Sequence, residues 1–330
     1  MSEYIPPYTI SDRMLELVSS ISEKLGGITI HQELESKPHL RRNNRIRSIH
    51  SSLKIEANSL SLNEVRDVIN GRLVLGNQKE IQEVKNAYAA YEKITEINPL
   101  SLADLKNIHG IMTYGIVEES GVFRRGDEGV FSGDKCIFIA PPPERVHGLI
   151  KDLFSWMKKN EGKVHPLIMA AIFHYEFVFI HPFADGNGRM ARLWHTAILY
   201  KWRSVFAYIP LESQIERFQT KYYDAIAQCH VNGNSDIFIE FMLEMIDQIL
   251  DEVILQVNNA NAETSEYVKR MLDLMEYNMP YTSNEIMTRH NLKSKETLRK
   301  NYLNPAIDLD LVRMTLPDKP KSKNQRYVKQ

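Results

Sequence analysis

The strongest constraint on this chain is a near-continuous succession of apolar stripes at helical spacing, interrupted once. Met14, Leu17, Val18, Ile21 and Leu25 mark one face of a helix that Gly26-Gly27 should stop. The same reading predicts helices over about 44–58, over 62–71 with Asn63 as its cap, over 80–97, and from a Ser101 cap through Met112. Further stripes fall at 146–158, 166–180, 188–202, 212–228 and 237–257. Between Gly121 and Pro143 the texture changes to alternation, with a Ser-Gly-Asp turn signal and a triple proline. That stretch predicts a β-hairpin or extended flap. The expected fold class is therefore mainly α, a helical bundle with one hairpin flap.

Composition agrees with a globular body. The chain has 330 residues, 43% apolar and 25% charged, with 15 Gly and 14 Pro, which excludes disordered, collagenous and low-complexity classes. No apolar run reaches the ~18 residues a bilayer span requires, and the first residues lack a basic and then apolar leader pattern. The expectation is a soluble, cytoplasmic protein with no membrane partner. Cys136 and Cys229 are too few and too far apart for a disulfide framework or a CxxC metal site.

A polar stretch, Asn258 to Ala262, suggests a domain boundary. Beyond it the order is helix over 265–277, a short helix opened by Ser283, a turn at Asn291, a helix over 294–303, then extended pieces at 311–313 and 326–328. That is the order of a winged helix-turn-helix. From Arg289 onward eleven Lys/Arg face four Asp/Glu, although the whole chain carries only −1. DNA is thus a candidate partner of this module, and a protein-contacting winged helix is the equal alternative. Arg41, Arg42, Arg45 and Arg47 read as a solvated helix face.

The segment His181 to Arg192, HPFADGNGRMAR, stands apart chemically. Gly186 and Gly188 allow backbone N–H groups to approach an anion where a helix begins, and the helix dipole favours negative charge there. Arg189 and Arg192, three apart, can face one phosphate chain. Asp185 offers a hard oxygen for Mg²⁺, and His181 can take a proton from a hydroxyl. Together these groups suit phosphoryl or nucleotidyl transfer. A metal cluster of His165, His174, His181 and Asp185 matches no ligand spacing.

This segment resembles the signature of the Fic family, HPFx(D/E)GNGRxxR, with all fixed positions filled. Nine letters at roughly one in twenty each make chance agreement remote. Arg124 within Gly121–Arg124, the flap through Pro143 and the helical frame over about 40–250 extend the resemblance. It implies domains at 1–100 (an N-terminal helical region with an inhibitory helix), 101–257 (the catalytic core) and 263–330 (the winged helix). It implies a protein adenylyltransferase using ATP and Mg²⁺ to place AMP on a Ser, Thr or Tyr hydroxyl of a target protein, or on itself. His181 would be the base, Phe183 the loop anchor and Asp185 the metal ligand. Gly186, Asn187 and Gly188 would form the anion hole, with the Asn187 side chain near the α-phosphate. Arg189 and Arg192 would grip the polyphosphate. Tyr222, with Tyr223, would border the adenine or else belong to the core. The target would lie along the flap, and a second copy of the chain is a further candidate partner.

Ser52 to Asn58 is similar to the family's inhibitory motif, (S/T)xxxE(G/N), with Ala57 in place of Gly or Asn. The implication is that Glu56 pairs with Arg192 and displaces the terminal phosphate. Ala is the better helix former, so the helix is expected to run past Glu56. Two alternatives remain: removal of AMP by the same pocket, and a DNA-binding regulator whose helical body senses nucleotide.

Overall fold

The computed structural model describes residues 4–26, 38–132, 135–263, 265–276, 279–309, 311–317, 319–320 and 322–329. The chain forms two compact units, Met1–Glu252 and Val253–Gln330. Gly27, the Gly133-Asp134 part of the hairpin turn signal, and Tyr277 lie outside the described residues.

In the first unit, α1 (Asp12–Gly26) is followed by α2 (Pro38–Ile55), α3 (Leu62–Ile69), α4 (Gln78–Glu92) and α5 (Leu102–Met112). The flap is a two-stranded antiparallel sheet, β1 (Gly129–Ser132) and β2 (Lys135–Ile139), with a register shift between Val130 and Phe131. Then come α6 (Pro143–Asn160), α7 (Pro166–Ile180) and α8 (Asn187–Trp202), a 3₁₀ turn at Ser204–Tyr208, α9 (Leu211–Arg217), α10 (Gln219–Asn232) and α11 (Asp236–Glu263).

The centre is the α7–α8 pair. α7 reads PLIMAAIFHYEFVFI, apolar on nearly every side, and only a helix enclosed all round tolerates that pattern. Phe173, Phe177 and Trp194 are fully buried between the two helices and their neighbours. Burying each such ring contributes roughly 1.5–3 kcal/mol. α2 packs against α9, α4 and α8; α5 and the 3₁₀ turn pack on α8, α6 packs on α7, and Tyr222 and Phe238 of α10 and α11 pack on His174 of α7.

Polar groups lock these contacts. Glu212 on α9 is 1% exposed, and its carboxylate accepts from Ser48 on α2 and Tyr91 on α4, both at 2.7 Å. Trp194 Nε1 donates to the Pro99 carbonyl at 3.0 Å. At the start of the described chain, Tyr4 donates to Glu176, and Ser235 N–H donates to the Pro7 carbonyl at 3.0 Å.

The second unit has its own core of Val268, Met271, Ile286, Leu298, Leu303 and Tyr327. Its elements are α12 (Glu266–Asp273), β3 (Pro280–Tyr281), α13 (Ser283–Arg289), α14 (Lys295–Leu298), a π turn at Arg299–Leu303, α15 (Asn304–Asp308), β4 (Val312–Met314) and β5 (Tyr327–Lys329). The three strands form an antiparallel sheet in the order β3-β5-β4.

Several expected boundaries move, each for a local reason. The cap of α3 is Ser61, not Asn63, because Ser61 and Glu64 close a reciprocal capping box. The predicted helix over 80–97 starts at Gln78 under an Asn77 cap and ends at Glu92. Phe218 (φ −110°, ψ 33°) divides the stretch read as one helix over 212–228. α11 continues through the polar stretch to Glu263, and the division between units falls inside it. α13 does open at Ser283 as expected, with Thr282 as its cap and again a capping box. Arg41, Arg42 and Arg45 are half-buried and line a cleft, so they are not a solvated face.

Removing one donor from Glu212 should register directly in stability. Tyr91→Phe leaves that buried carboxylate short of a hydrogen bond, and urea unfolding is expected to show a loss of about 1–3 kcal/mol.

Candidate active site

The loop between α7 and α8 is fixed at both ends by left-handed backbone. His181 closes α7 at φ +49°, and its N–H donates to the Phe177 carbonyl at 3.0 Å. Gly186 precedes α8 at φ +83°, and a Cβ there would lie 3.0 Å from Thr113 Cγ2, so glycine is required twice over. Between them Phe183 is fully buried and stacks on His109, with centroids 3.6 Å apart and planes 5° from parallel. This is the anchor expected of Phe183.

His109 is a strut for the loop. Its Nδ1 accepts from the Gly121 N–H and its Nε2–H donates to the Asp185 carbonyl, both at 2.9 Å. Burial pushes its pKa down to about 4, so the ring is neutral at pH 7. Sequence reasoning did not single it out, although a histidine among Leu105, Ile108 and Met112 on the apolar stripe of α5 is a visible signal.

His181 is half-buried at the C-terminal end of α7. Its Nδ1–H donates to the Val178 carbonyl at 3.3 Å, which places the lone pair on Nε2. Burial holds its pKa below the ordinary histidine range, with nearby Arg124 acting in the same direction. The ring is therefore neutral near pH 7 and able to accept a proton. Arg124 binds the loop to the flap: Nε donates to the His181 carbonyl at 2.7 Å, Nη1 to Gly126 at 2.7 Å and Nη2 to Pro141 at 2.5 Å.

Asn187 ties the loop to itself. Its side-chain oxygen accepts from the Phe183 N–H at 3.0 Å, and its Nδ2 donates to the Phe183 carbonyl at 2.7 Å. Both ends of the amide help to close the loop, and the second Nδ2–H has no bond described here. Asp185 Oδ1 accepts from the Gly186 N–H at 2.5 Å and from Arg189 Nη2 at 3.0 Å, with the side chain 43% exposed. Arg189 also approaches Glu83 at 3.5 Å, and its buried Nε has no partner among the described residues.

Arg192 is 2% exposed and fully engaged on one side. Nε donates to Ser52 Oγ at 3.0 Å, and Nη2 donates to the Ser52 carbonyl and to Glu56 Oε1, both at 2.8 Å. Burial alone would lower its pKa; the Glu56 carboxylate, with Tyr222 and Tyr91, outweighs burial and raises it. The Glu56 carboxylate also sits on Gly188, where a Cβ would come within 2.3 Å of Oε1. α8 has no acidic residue in its first turn and no side-chain cap, so Glu56 supplies the negative charge its N-terminus favours.

Contrary to expectation, α2 does not run past Glu56. It stops at Ile55, Ala57 takes φ +64°, and the Asn58 N–H returns to the Leu53 carbonyl at 3.1 Å. The helix is closed by a left-handed residue, a geometry that glycine or asparagine adopts more readily than alanine. Tyr222 is also corrected. It is 2% exposed among Phe238, Phe241 and His174, and lies 3.0 Å from His174 Nε2, a core position without access to a base. Tyr223, half-exposed on the same helix, is the more accessible ring.

The Fic/DOC family model matches residues 99–199, and that of the Filamentation induced by cAMP protein Fic-like, C-terminal domain, matches residues 266–328. The crystal structure of a Fic family protein from Desulfovibrio desulfuricans G20 is 40% identical, with TM-score 0.75, and the alignment covers 99% of this chain and 98% of that one. The chain belongs to the Fic family. Curated relatives named protein adenylyltransferase Fic include that of Aedes aegypti, 31% identical over 62% of this chain, and that of Nematostella vectensis, 28% identical over 62%. The chain spans 41% and 47% of the length of those two. Fic-1 (aa134–508) from C. elegans, at 23% identity and TM-score 0.61 over 75% of this chain and 72% of that chain, shares the fold. In this Fic protein the whole signature, His181 to Arg192, lies within the first matched segment.

Two outcomes follow from this geometry. Ala57→Gly removes left-handed strain and is expected to raise stability by about 0.5–1 kcal/mol in urea unfolding. His109 has a depressed folded pKa, so the unfolded chain binds its proton first as the solution is acidified. Its contribution is complete above the ordinary histidine value near 6.5 and fades as pH falls towards about 4. Urea unfolding at pH 7 and pH 4.5 should show wild type losing roughly 2 kcal/mol more than His109→Gln over that interval.

Proposed function

We propose that the protein transfers AMP from ATP to a hydroxyl of a protein and that Glu56 restrains the transfer. The observation that carries this reading is the pairing of a neutral His181, its lone pair on Nε2, with an anion cradle already occupied by a carboxylate at Gly188 and Arg192. The names of the curated relatives support the same activity.

In the proposed reaction the hydroxyl oxygen of a Ser, Thr or Tyr attacks the α-phosphorus. The new O–P bond forms as the bond to the bridging oxygen breaks, pyrophosphate leaves, and the hydroxyl proton passes to His181 Nε2. Gly186 and Gly188 present backbone to the phosphates at the start of α8, and Arg189 and Arg192 supply guanidinium charge. Asp185 fits a Mg²⁺ ligand: it is a half-exposed hard oxygen donor at the loop rim, and its hydrogen bonds among the described residues fall on Oδ1. When bound, the metal would neutralise phosphate charge. Glu56 and Ser52 restrain the reaction because they hold Arg192 in a bidentate arrangement that a terminal phosphate would need.

A second reading has its own support. A carboxylate resting on Gly188 is placed to orient water against an AMP–protein bond, so the same pocket can serve removal of AMP. The flap edge would take the target by main-chain pairing. The helices and three-stranded sheet of the second unit suit a winged helix, with DNA or a protein as its partner. A paired second copy remains part of the proposal.

Mass spectrometry of protein incubated with ATP and Mg²⁺ tests this reading. Glu56→Gly is expected to carry or transfer at least tenfold more AMP than wild type, and adding His181→Ala should abolish the gain. Equal labelling of wild type and Glu56→Gly removes the restraint, and labelling that survives His181→Ala removes the base. Incubation with pre-modified protein, with and without ATP, separates the two directions.

A further inference from the structure

The arginines at the start of α2 are far along that helix from the loop. Arg41 precedes Ile55, the last residue of α2, by fourteen positions, which at 1.5 Å per residue is about 20 Å. Arg41, Arg42 and Arg45 line a cleft of about 250 Å³ together with Tyr88, Tyr208 and Glu92. Three guanidinium groups therefore share the cleft with one carboxylate.

These side chains are braced. Arg45 Nη1 donates to Glu92 Oε1 at 2.6 Å and to the Tyr91 carbonyl at 3.2 Å. Arg42 donates to Asn70 Oδ1. The guanidinium carbons of Arg41 and Arg45 lie 5.2 and 5.7 Å from the centroid of the Tyr208 ring. Tyr208 is itself positioned, because its carbonyl accepts from buried Asn44 at 3.1 Å. A guanidinium has five N–H donors, and the bonds described here engage one terminal nitrogen of Arg42 and one of Arg45.

The cluster carries a surplus of positive charge. Like charges within two turns repel, and the helix dipole makes cations costly near an N-terminus; the first turn of α2 has no acidic residue to compensate. A concave set of braced forks is also the geometry that recognises phosphoryl oxygens two at a time. We infer that this cleft is a second anion site, which takes a diphosphate or triphosphate group and is separate from the loop at Asp185 to Arg192. The site does not depend on the proposed reaction, since none of its residues belongs to that loop.

Isothermal titration of the full chain with inorganic pyrophosphate, without divalent metal, tests the inference. Wild type is expected to bind, and Arg41→Ala/Arg42→Ala to bind at least tenfold more weakly. Arg41→Gln/Arg42→Gln, which retains polar side chains on the helix, should show the same loss while melting as wild type does. No uptake by wild type, or unchanged affinity in both arginine pairs, would each overturn it. A failure here leaves AMP transfer and its dependence on His181 unaffected, so the two results are distinguishable.

Discussion

Arg192 is a permanent cation almost without water, and the first unit is organised around that fact. An unpaired charge so deeply enclosed would cost several kcal/mol. Ser52 and Glu56 meet it from the C-terminal end of α2, and Tyr222 approaches it from α10. The compensation comes from residues distant in sequence, so the guanidinium is satisfied only once α2, α8 and α10 have assembled. The same arrangement brings a carboxylate onto Gly188, at the N-terminus of α8. Charge satisfaction in the core and occupancy of the loop are thus one interaction.

The helical character of the chain was legible because its signal is local. α7 was read over its full length, since Pro166 at the start and an uninterrupted apolar run leave one solution. α5 was equally clear from its Ser101 cap. Boundaries that moved were those decided by competition between neighbouring polar residues, as with Ser61 over Asn63. The break at Phe218 has no residue-level marker, and apolar residues at helical spacing continue on both sides of it, Leu211 and Ile215 before, Tyr222, Ala225, Ile226 and Cys229 after.

The loop shows the same split between type and geometry. Its residues announced an anion site with a base, and the structure gathers His181, Asp185, Arg189 and Arg192 on one loop and the first turns of α8, the two arginines buried and Asp185 half-exposed. What single letters did not convey is how a side chain is spent. The amide of Asn187 closes its own loop, Tyr222 turns into the core, and Ala57 accepts left-handed backbone that its helix propensity opposes. Each outcome is set by long-range packing, which periodicity does not encode. His109 and Glu212 were missed for that reason too: each is a polar residue whose partners lie on other elements.

Arg124 has a broader mechanical meaning. One planar group gathers the carbonyls of His181, Gly126 and Pro141, and the backbone N–H of the same residue reaches the Pro182 carbonyl. The two feet of the hairpin and the backbone that carries the imidazole are therefore riveted to a common plate. Displacing either foot breaks a bond to the same guanidinium that holds the His181 carbonyl.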